Sequence, residues 1–330
     1  MDLNYLLIPS IKPSNISSTN FLNYLKKIIL KKFNYQTKSL IKFGHSGTLD
    51  PFAAGLLLVL SGKACKLNFL FNLFPKEYIA VIKFGEKRDT GDITGNLIGH
   101  SEIPSKELFE TLLNNYKGKI FQKPHKFSAV KIDGKRAYEL ARKNIEFDLE
   151  EKEVFIYDNK LLYFNPKINK AVIYIKCSSG TYIRKYVEDL LIKENYFGFC
   201  EKLVRISIGP FNIKDIKKNS LNFGFDFMFL NLNKNLFEKY FNCISLNSLN
   251  FEEKNKLKNI LKNGLKLDKI NLSKINLDKI KFDNRFSDDL LLIFNENDIL
   301  STILKKEEYI YSYLFNYPEI LWNFIDKKIK

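Results

Sequence analysis

Cysteine and histidine are scarce in this chain of 330 residues. It has four cysteines and three histidines, and no two cysteines form a C-x-x-C pair. Zinc sites are built from clustered Cys and His ligands, so no metal centre is expected. The scattered cysteines also give no disulfide framework. A reduced, metal-free cytoplasmic protein is therefore the expectation.

Long hydrophobic runs are also missing. The longest candidates, Leu56 to Leu60 and Leu290 to Phe294, have the length of a strand. A membrane-spanning helix needs about 20 apolar residues. The first ten residues, MDLNYLLIPS, have an acid at position 2 and no basic segment, which argues against a secretory signal. No membrane association is expected.

Acidic residues are outnumbered by basic ones. The 53 Lys and Arg against 37 Asp and Glu give a net charge of +16, and the pI is near 9.4. The excess is concentrated in the first 210 residues. Such a balance favours a polyanionic partner, above all a nucleic acid. The alternative is a solvated, lysine-rich surface, because Asn, Ile and Phe are abundant too and indicate a biased composition.

The order of predicted elements favours an α+β fold. Strands and helices are mixed without a regular strand–helix–strand rhythm, which argues against a doubly wound sheet. From about residue 215 the composition shifts towards Asn, Lys, Leu and Ile. We therefore predict one domain over residues 1–215 and a small, divergent C-terminal domain over 216–330. The strongest strand and helix signals are GLLLVLSG, YIAVIKF and AVIYIKC for strands, and amphipathic stripes that begin near Ser18, Ser105 and Thr181 for helices.

The densest motif is KFGHSGTLDPFAAGLLLVLSGKACKL. Gly44 and Gly47 allow backbone conformations that other residues avoid, and Pro51 biases Asp50 towards an extended conformation. A single carboxylate is thus predicted at the mouth of an apolar strand. Taken alone, an Asp-Pro pair is most often a turn or a helix cap, and a lone His45 is most often a structural, hydrogen-bonded residue.

The whole run resembles the catalytic-loop motif of the TruB family of pseudouridine synthases, which is close to GHTGTLDPxAxGxLxxxxGxATK. Ser46 and Cys65 are conservative departures from it. The resemblance implies that Asp50 is the catalytic aspartate and that His45 shapes the loop that binds the base. It also implies the pseudouridine synthase fold, in which a mixed, mainly antiparallel central sheet is flanked by helices.

Further segments resemble family elements in the same order, over roughly residues 5–215. They are KPSNISS, KEYIAVIKFGEKRDTGDITG, FQKPHKFSAVKIDGKRAYELAR, CSSGTYIRKYVEDL and LVRISIGPF. The resemblance implies that Tyr78 stacks on the target base, that Arg184 partners the catalytic carboxylate with Tyr182 beside it, and that Leu203 belongs to the substrate site.

These segments also depart from the family pattern. Asn15 replaces a glycine, a mild change because Asn tolerates a left-handed backbone. His125 and Phe127 replace Pro and Tyr in a loop that closes over RNA in the family, and Val204 replaces an arginine. The loop and one phosphate contact are therefore expected to differ in detail.

The chemistry implied by the resemblance accounts for the residue types. Pseudouridine formation breaks the N1–C1′ bond of a uridine, turns the uracil and rejoins it through C5. The base must first leave the stack, and an aromatic ring offsets part of that cost. A carboxylate then attacks C1′ or removes a sugar proton to give a glycal, and the sequence leaves both routes open. A buried carboxylate needs a cationic neighbour to stay charged. No cofactor is implied.

The resemblance implies that the RNA partner is the T-arm stem-loop of tRNA, modified at uridine 55. The enzyme is expected to be a monomer. The C-terminal domain is often PUA-like in the family.

Three alternatives stay open. The chain could modify another RNA, as guide-RNA-directed relatives do; it could bind or fold tRNA through the same cleft without catalysis; or it could be a generic basic RNA-binding protein. Candidates for contacts with the RNA backbone are Arg88, Lys131, Arg136, Arg142 and Arg205.

Overall fold

The structure is a computed structural model, and it contains two compact units. The larger unit is Ile8–Ser61 with Asn68–Met228, and the smaller unit is Met1–Leu7, Gly62–Leu67 and Phe229–Lys330. The predicted division into functional domains at residue 215 stays a prediction. The residues described are 3, 6–34, 41–126, 128, 130–132, 134–143 and 145–216, together with the strand backbones at 242–245, 267–268, 290–294, 300–307 and 310–316.

The larger unit is built on a nine-stranded sheet. Its main path runs β1-β3-β12-β4-β11-β10-β7, with β2 paired to β3 and β13 paired to β12. The strands outside this sheet form two short hairpins, β5 with β6 and β8 with β9. The strands, in chain order, are β1 Leu7–Lys12, β2 Phe43–Ser46, β3 Ala54–Ser61, β4 Lys76–Phe84, β5 Glu86–Arg88, β6 Leu97–His100, β7 Gly118–Gln122, β8 Lys131–Ile132, β9 Lys135–Arg136, β10 Lys152–Asn165, β11 Lys170–Cys177, β12 Gly198–Ile208 and β13 Phe211–Asn212.

The sheet is mixed and mainly antiparallel. β12 pairs parallel with β3 and antiparallel with β4, and β4, β11, β10 and β7 continue antiparallel. The predicted α+β class and sheet type are confirmed. Strand β10 had no strong sequence signal, because charged residues interrupt the apolar residues of KEVFIYDNKLLYFN.

Helices cover one face of this sheet. Side chains from β4, β10 and β11 pack with those of α3 and α5 in one hydrophobic cluster, which includes Ile82, Ile173, Phe109 and Val187. The helices are α1 Ser18–Lys32, α2 Asn68–Leu73, α3 Lys106–Asn115, α4 Ala137–Arg142 and α5 Ile183–Ile192, and the 3-10 helices are Gly62–Leu67, Pro166–Ile168 and Ile213–Asp215.

The helix starts follow from their capping residues. The hydroxyl of Ser17 accepts a hydrogen bond from Asn20 N at 3.1 Å, and that of Ser105 accepts one from Leu108 N at 3.1 Å. A hydroxyl before the first helical residue satisfies an amide that has no partner within the helix. The predicted helices at these two positions are confirmed, and α5 begins two residues after Thr181.

A close approach of two backbones brings the motif strand β3 directly against β12. Gly55 has φ +111°, and a Cβ atom added there would lie 2.3 Å from the backbone oxygen of Arg205 in β12. Only glycine fits such a contact without displacement. The loop before β3 is therefore held directly beside β12.

The smaller unit contains a five-stranded sheet of order β14-β16-β17-β18-β15. A PUA-like assignment for this part stays a prediction. Within the described residues, no helix is both long and apolar enough to span a membrane. The same residues contain no group of three or more His, Cys, Asp or Glu side chains that could hold a metal ion. The strands are β14 Asn242–Ser245, β15 Leu267–Asp268, β16 Leu290–Phe294, β17 Leu300–Glu307 and β18 Ile310–Asn316.

Candidate active site

Asp50 lies in the loop between β2 and β3. A turn closes on it, because Ala53 N donates to Asp50 O at 3.1 Å. The loop is also fastened to the start of α1: the hydroxyl of Ser18 donates to Leu49 O and accepts from Leu49 N, both at 2.9 Å. The carboxylate itself is 32% exposed. It is thus a rigidly presented group that solvent or a ligand can reach.

Arg184 holds this carboxylate through two hydrogen bonds. Its Nε lies 2.8 Å from Asp50 Oδ2, and its Nη2 lies 3.0 Å from Asp50 Oδ1. The Arg184 side chain is only 3% exposed. A planar guanidinium that binds both carboxylate oxygens fixes their position and their direction. The structure therefore brings together the two residues that the sequence predicted to pair.

A second carboxylate, that of Asp92, also faces Arg184. Its Oδ2 lies 3.4 Å from Arg184 Nη1, and the same Nη1 donates to Thr90 O at 2.8 Å. Burial disfavours a charged guanidinium, but the charges of Asp50 and Asp92 outweigh that cost and raise the pKa of Arg184. Arg184 is consequently a permanent cation shared between two acids.

Asp92 was not singled out in the sequence, although its local signal was present. It lies in the DTGDITG segment, where Asp, Thr and Gly favour turns braced by their own side chains. Asp92 Oδ1 accepts from Thr90 Oγ1 at 3.0 Å and from Thr94 N at 2.9 Å. Asp89 braces the other side by accepting from Asn96 N at 2.8 Å. This loop, residues 89–96, is a rigid support for Arg184.

Lys12 anchors the Asp50 loop, and the sequence analysis did not single it out. Its buried ammonium donates to Ile16 O at 2.7 Å, to Pro13 O at 2.9 Å and to Pro51 O at 3.4 Å. Burial lowers the pKa of Lys12 to about 8; the charge of Asp50 opposes this shift and that of Arg205 adds to it. The lysine was visible in the KPSNISS segment, but a buried lysine cannot be told from a surface one by sequence.

Tyr78 lies in β4, directly opposite Arg205 in β12, and is 8% exposed. Burial raises its pKa to about 12; the charge of Arg205 opposes the shift, and the charge of Asp50 adds to it. The phenol is therefore neutral at physiological pH and lies within electrostatic reach of Asp50. Its predicted stacking on a base stays a prediction.

Arg205 is enclosed by the fold. It is 1% exposed, and its guanidinium donates to Leu56 O at 2.8 Å and to Gly47 O at 2.9 Å. Gly47 has φ +76°, and a Cβ atom there would lie 3.3 Å from Arg205 Nη1. A guanidinium enclosed in this way cannot reach an RNA phosphate, so the predicted backbone contact is replaced by a structural role, the joining of β12 to the motif loop.

His45 lies in β2, opposite Val59 in β3. Burial and the charge of Arg205 lower its pKa, so the imidazole is neutral. Its Nδ1 is buried and has no hydrogen-bond partner among the residues that the structure describes. Buried polar atoms normally have a hydrogen-bond partner. The unpaired Nδ1 of His45 is therefore a candidate to bond with a ligand.

Tyr182 and Leu203 complete the predicted substrate set. Burial raises the pKa of Tyr182, a contact with Ser128 opposes the shift, and the charges of Asp50 and Arg184 act on it in opposite directions. Tyr182 therefore lies beside the ion pair. Leu203 is buried in β12 opposite Ala80 and belongs to the main hydrophobic cluster.

The remaining basic candidates differ in their surroundings. Arg88 donates to Gly95 O at 3.0 Å and to Glu86 Oε2 at 2.9 Å, and its guanidinium lies 4.5 Å from the centre of the Phe199 ring. It supports the 89–96 loop through these bonds, and its predicted phosphate contact stays a prediction. The backbones of three further candidates lie in β8, β9 and α4, but their side chains fall outside the described part of the structure: Lys131, Arg136 and Arg142.

The architecture resembles solved structures over almost the whole chain. The Cbf5-Nop10-Gar1 complex matches with a TM-score of 0.60 at 18% identity, covering 97% of this chain and 82% of that one. An H/ACA RNP bound to a substrate RNA containing 2'-deoxyuridine matches with a TM-score of 0.58 at 16% identity, covering 97% and 89%. At these identities the likeness concerns the fold alone.

Sequence comparison assigns the family. The family "TruB family pseudouridylate synthase (N terminal domain)" matches residues 31–183. The tRNA pseudouridine synthase B of Rickettsia akari (strain Hartford) is 40% identical over 205 residues, which are 62% of this chain and 67% of that protein. The enzyme of the same name from Ureaplasma urealyticum serovar 10 is 39% identical over 215 residues, 64% of this chain and 90% of that protein. The chain belongs to the TruB family of pseudouridylate synthases, and the predicted membership is confirmed.

Proposed function

We propose that this protein converts uridine 55 in the T-loop of tRNA to pseudouridine, with Asp50 as the catalytic carboxylate. The observation that carries the proposal is the two-bond pair between Asp50 and the buried Arg184, set in a loop that matches the family. The relatives named tRNA pseudouridine synthase B support tRNA as the substrate.

The reaction needs a carboxylate that is accessible and charged. With the uridine flipped out of the stack, Asp50 either attacks C1′ or removes a proton from the sugar, and the N1–C1′ electrons pass to the uracil. The freed uracil turns, and C5 forms the new bond to C1′. In the first route C5 displaces the carboxylate of Asp50 from C1′, and in the second Asp50 returns the proton to the sugar as C5 adds to C1′. The proton then lost from C5 is matched by one gained at N1, which completes the isomerisation. Atoms and electrons balance without a co-reactant, and both routes remain open.

Asp92 keeps the charge of Arg184 balanced throughout this cycle. Whenever Asp50 becomes esterified or protonated, it no longer compensates the buried guanidinium. A buried charge without a counter-charge costs several kcal/mol, and Asp92 Oδ2, at 3.4 Å from Arg184, supplies the counter-charge that remains. Arg184 can therefore hold its position while Asp50 reacts.

Two neutral side chains are suited to the uracil. His45 offers a buried Nδ1 that has no partner among the described residues, and Tyr78 offers an aromatic ring and a phenol that stays protonated. A neutral base is best held by neutral donors and acceptors, because a charge buried beside it would require its own partner. Contacts with the RNA backbone stay assigned, from the sequence resemblance, to four candidates: Arg88, Lys131, Arg136 and Arg142.

The test is to incubate the protein with an unmodified tRNA transcript and map pseudouridine chemically, next to a transcript with cytidine at position 55. Asp50→Asn is expected to bind the RNA and form no pseudouridine. Asp158→Asn serves as the matched control, because Asp158 pairs with Lys117 and Lys160 at the surface. If wild type modifies no T-loop uridine, the proposed function fails; if Asp50→Asn remains active, the role of Asp50 fails. Retained binding without modification in wild type would instead favour a tRNA-binding or tRNA-folding protein.

A further inference from the structure

Helix α5, which carries Arg184, begins without a capping side chain of its own. Its N-cap residue is Tyr182, whose side chain makes no capping hydrogen bond. Ser, Thr, Asp and Asn normally fill this position, because their side chains accept a hydrogen bond from an amide of the first turn. The first turn of α5 therefore depends on support from elsewhere.

The residue before the helix, Tyr182, is held instead by Gln122, the last residue of β7. Tyr182 N donates to Gln122 Oε1 at 3.1 Å, and Gln122 Nε2 donates back to Tyr182 O at 3.4 Å. The same carbonyl starts the helix by accepting from Tyr186 N at 2.9 Å. Gln122 is 1% exposed, so water does not compete for either bond. One amide group thus holds both polar backbone atoms of the residue that precedes α5.

The segment that follows Gln122 contacts α5 a second time. His125 Nε2 lies 3.8 Å from Glu188 Oε1. Glu188 in turn packs against the loop that supports the ion pair, since a Cβ atom on Gly91 would lie 2.8 Å from Glu188 Oε1. Helix α5 is held at residues 182 and 188, and Arg184 lies between them.

We propose that Gln122 is a positioning residue for the Arg184–Asp50 pair. It orients the first turn of α5 and, through that turn, the direction of the Arg184 guanidinium and the place of Tyr182. The inference rests on the proposed function, since its catalytic test requires pseudouridine formation. Gln122 acts only through the backbone of Tyr182 and touches neither Asp50 nor the RNA.

The test is Gln122→Met, which keeps the length of the side chain and removes both hydrogen bonds. Single-turnover rates are measured with saturating tRNA transcript, at a temperature where thermal melts show every variant to be folded. The rate is expected to fall by about 10- to 100-fold, the scale of a displacement of about 1 Å at a reacting group. The Kd for the transcript is expected to change less than about threefold, because no contact with RNA is removed.

Ser105→Ala is the matched control. It removes the side-chain cap of α3, a helix that carries no site residue, so it is expected to lower Tm and leave the single-turnover rate unchanged. A merely structural role for Gln122 predicts the same outcome for both variants. A Gln122→Met rate within threefold of wild type overturns the proposal.

Two further arms cover the remaining outcomes. If Gln122→Met does not fold, Gln122→Asn keeps a buried amide that is one methylene too short to reach Tyr182, and the same rate criterion applies to it. If wild type itself forms no pseudouridine, the proposed function fails on its own. Crystal structures of wild type and the folded variant then decide the inference, because an unchanged Arg184–Asp50 pair contradicts it and a displaced guanidinium supports it.

Discussion

Two buried arginines of the larger unit are stabilised in opposite ways. Arg184, at the start of α5, lies against the carboxylates of Asp50 and Asp92. Arg205, in the middle of β12, has two backbone carbonyls as its hydrogen-bond acceptors. Both are nearly excluded from solvent. The positive charge of Arg184 is balanced by two carboxylates, whereas that of Arg205 is stabilised by carbonyl dipoles.

The difference appears in the groups around each arginine. Acidic neighbours raise the pKa of Arg184 itself. Near Arg205, burial lowers the pKa of Lys76 to about 7 and that of His45 as well, and the charge of Arg205 adds to both shifts. We infer that an arginine paired with acids holds a reactive group in place, whereas an arginine held by carbonyls fastens the fold and leaves surplus positive potential beside the site.

The largest expected effect is that of Arg184→Met on catalysis. The variant leaves Asp50 without the donors that fix its two oxygens, so the single-turnover rate is expected to fall at least about 1,000-fold. The Kd for tRNA should change far less, since the guanidinium faces carboxylates inside the protein. Rapid quench and filter binding measure the two quantities. An active Arg184→Met would remove the distinction between the two arginines.

Arg205→Met is expected to lower the stability of the fold more than the activity. It leaves the carbonyls of Leu56 and Gly47 without a donor, and unsatisfied buried groups cost about 1–3 kcal/mol each. The free energy of unfolding should therefore fall by about 2–6 kcal/mol. Urea denaturation followed by circular dichroism gives this value. The comparison would be reversed if the variant had wild-type stability and no activity under conditions where it is folded.

The sequence was sufficient for the parts of the site that are local. The run from Gly44 to Pro51 predicted a single carboxylate at the mouth of a strand, and GTYIR placed Arg184 near a helix start. Sequence reasoning assigned Arg184 to the carboxylate by resemblance but expected Arg205 to contact the RNA backbone, because a buried arginine cannot be told from a surface one by sequence. The roles of the two arginines depend on which distant segment packs against each side chain. Arg205 lies more than a hundred residues along the chain from Leu56, whose carbonyl it binds.

The same limit explains the residues that were missed. The role of Asp92 depends on a loop folding back against α5, and that of Gln122 on β7 ending beside Tyr182. Strand β10 is recognisable as a strand only from its pairing with β7 and β11. Contacts between distant segments are fixed by tertiary packing, which no local pattern encodes.

A smaller effect is expected from Lys76, which belongs to the Arg205 side of the comparison. Its pKa is about 7 in the folded protein, against an ordinary lysine pKa of 10.5, so the unfolded state binds more protons between these limits. Stability therefore rises with pH over the window from about 7 to 10.5, by at most about 1.4 kcal/mol per pH unit.

Lys76→Met removes this contribution, together with bonds from Nζ to Phe74 O at 2.7 Å and Asn72 O at 2.9 Å. The difference in unfolding free energy between wild type and variant should grow as the pH is raised from 7 to 9.5, measured by urea denaturation at each pH. Parallel pH profiles for the two proteins would mean that Lys76 stays charged beside Arg205. The positive charges of Lys76 and Arg205 would then be balanced by other groups.

The smallest expected effect is at Asn15, where this chain departs from the family glycine. Asn15 has φ 65°, in the left-handed region that the sequence predicted it to tolerate, and its amide donates to Pro51 O at 2.7 Å. Asn15→Gly keeps that backbone bond and should change the free energy of unfolding by less than about 0.5 kcal/mol, with unaltered activity. Asn15→Ala keeps the bond too but strains the backbone, so it should be less stable by about 1 kcal/mol. If Asn15→Gly lowered the rate while Asn15→Ala did not, the asparagine side chain, rather than the backbone that it permits, would be what supports the Asp50 loop.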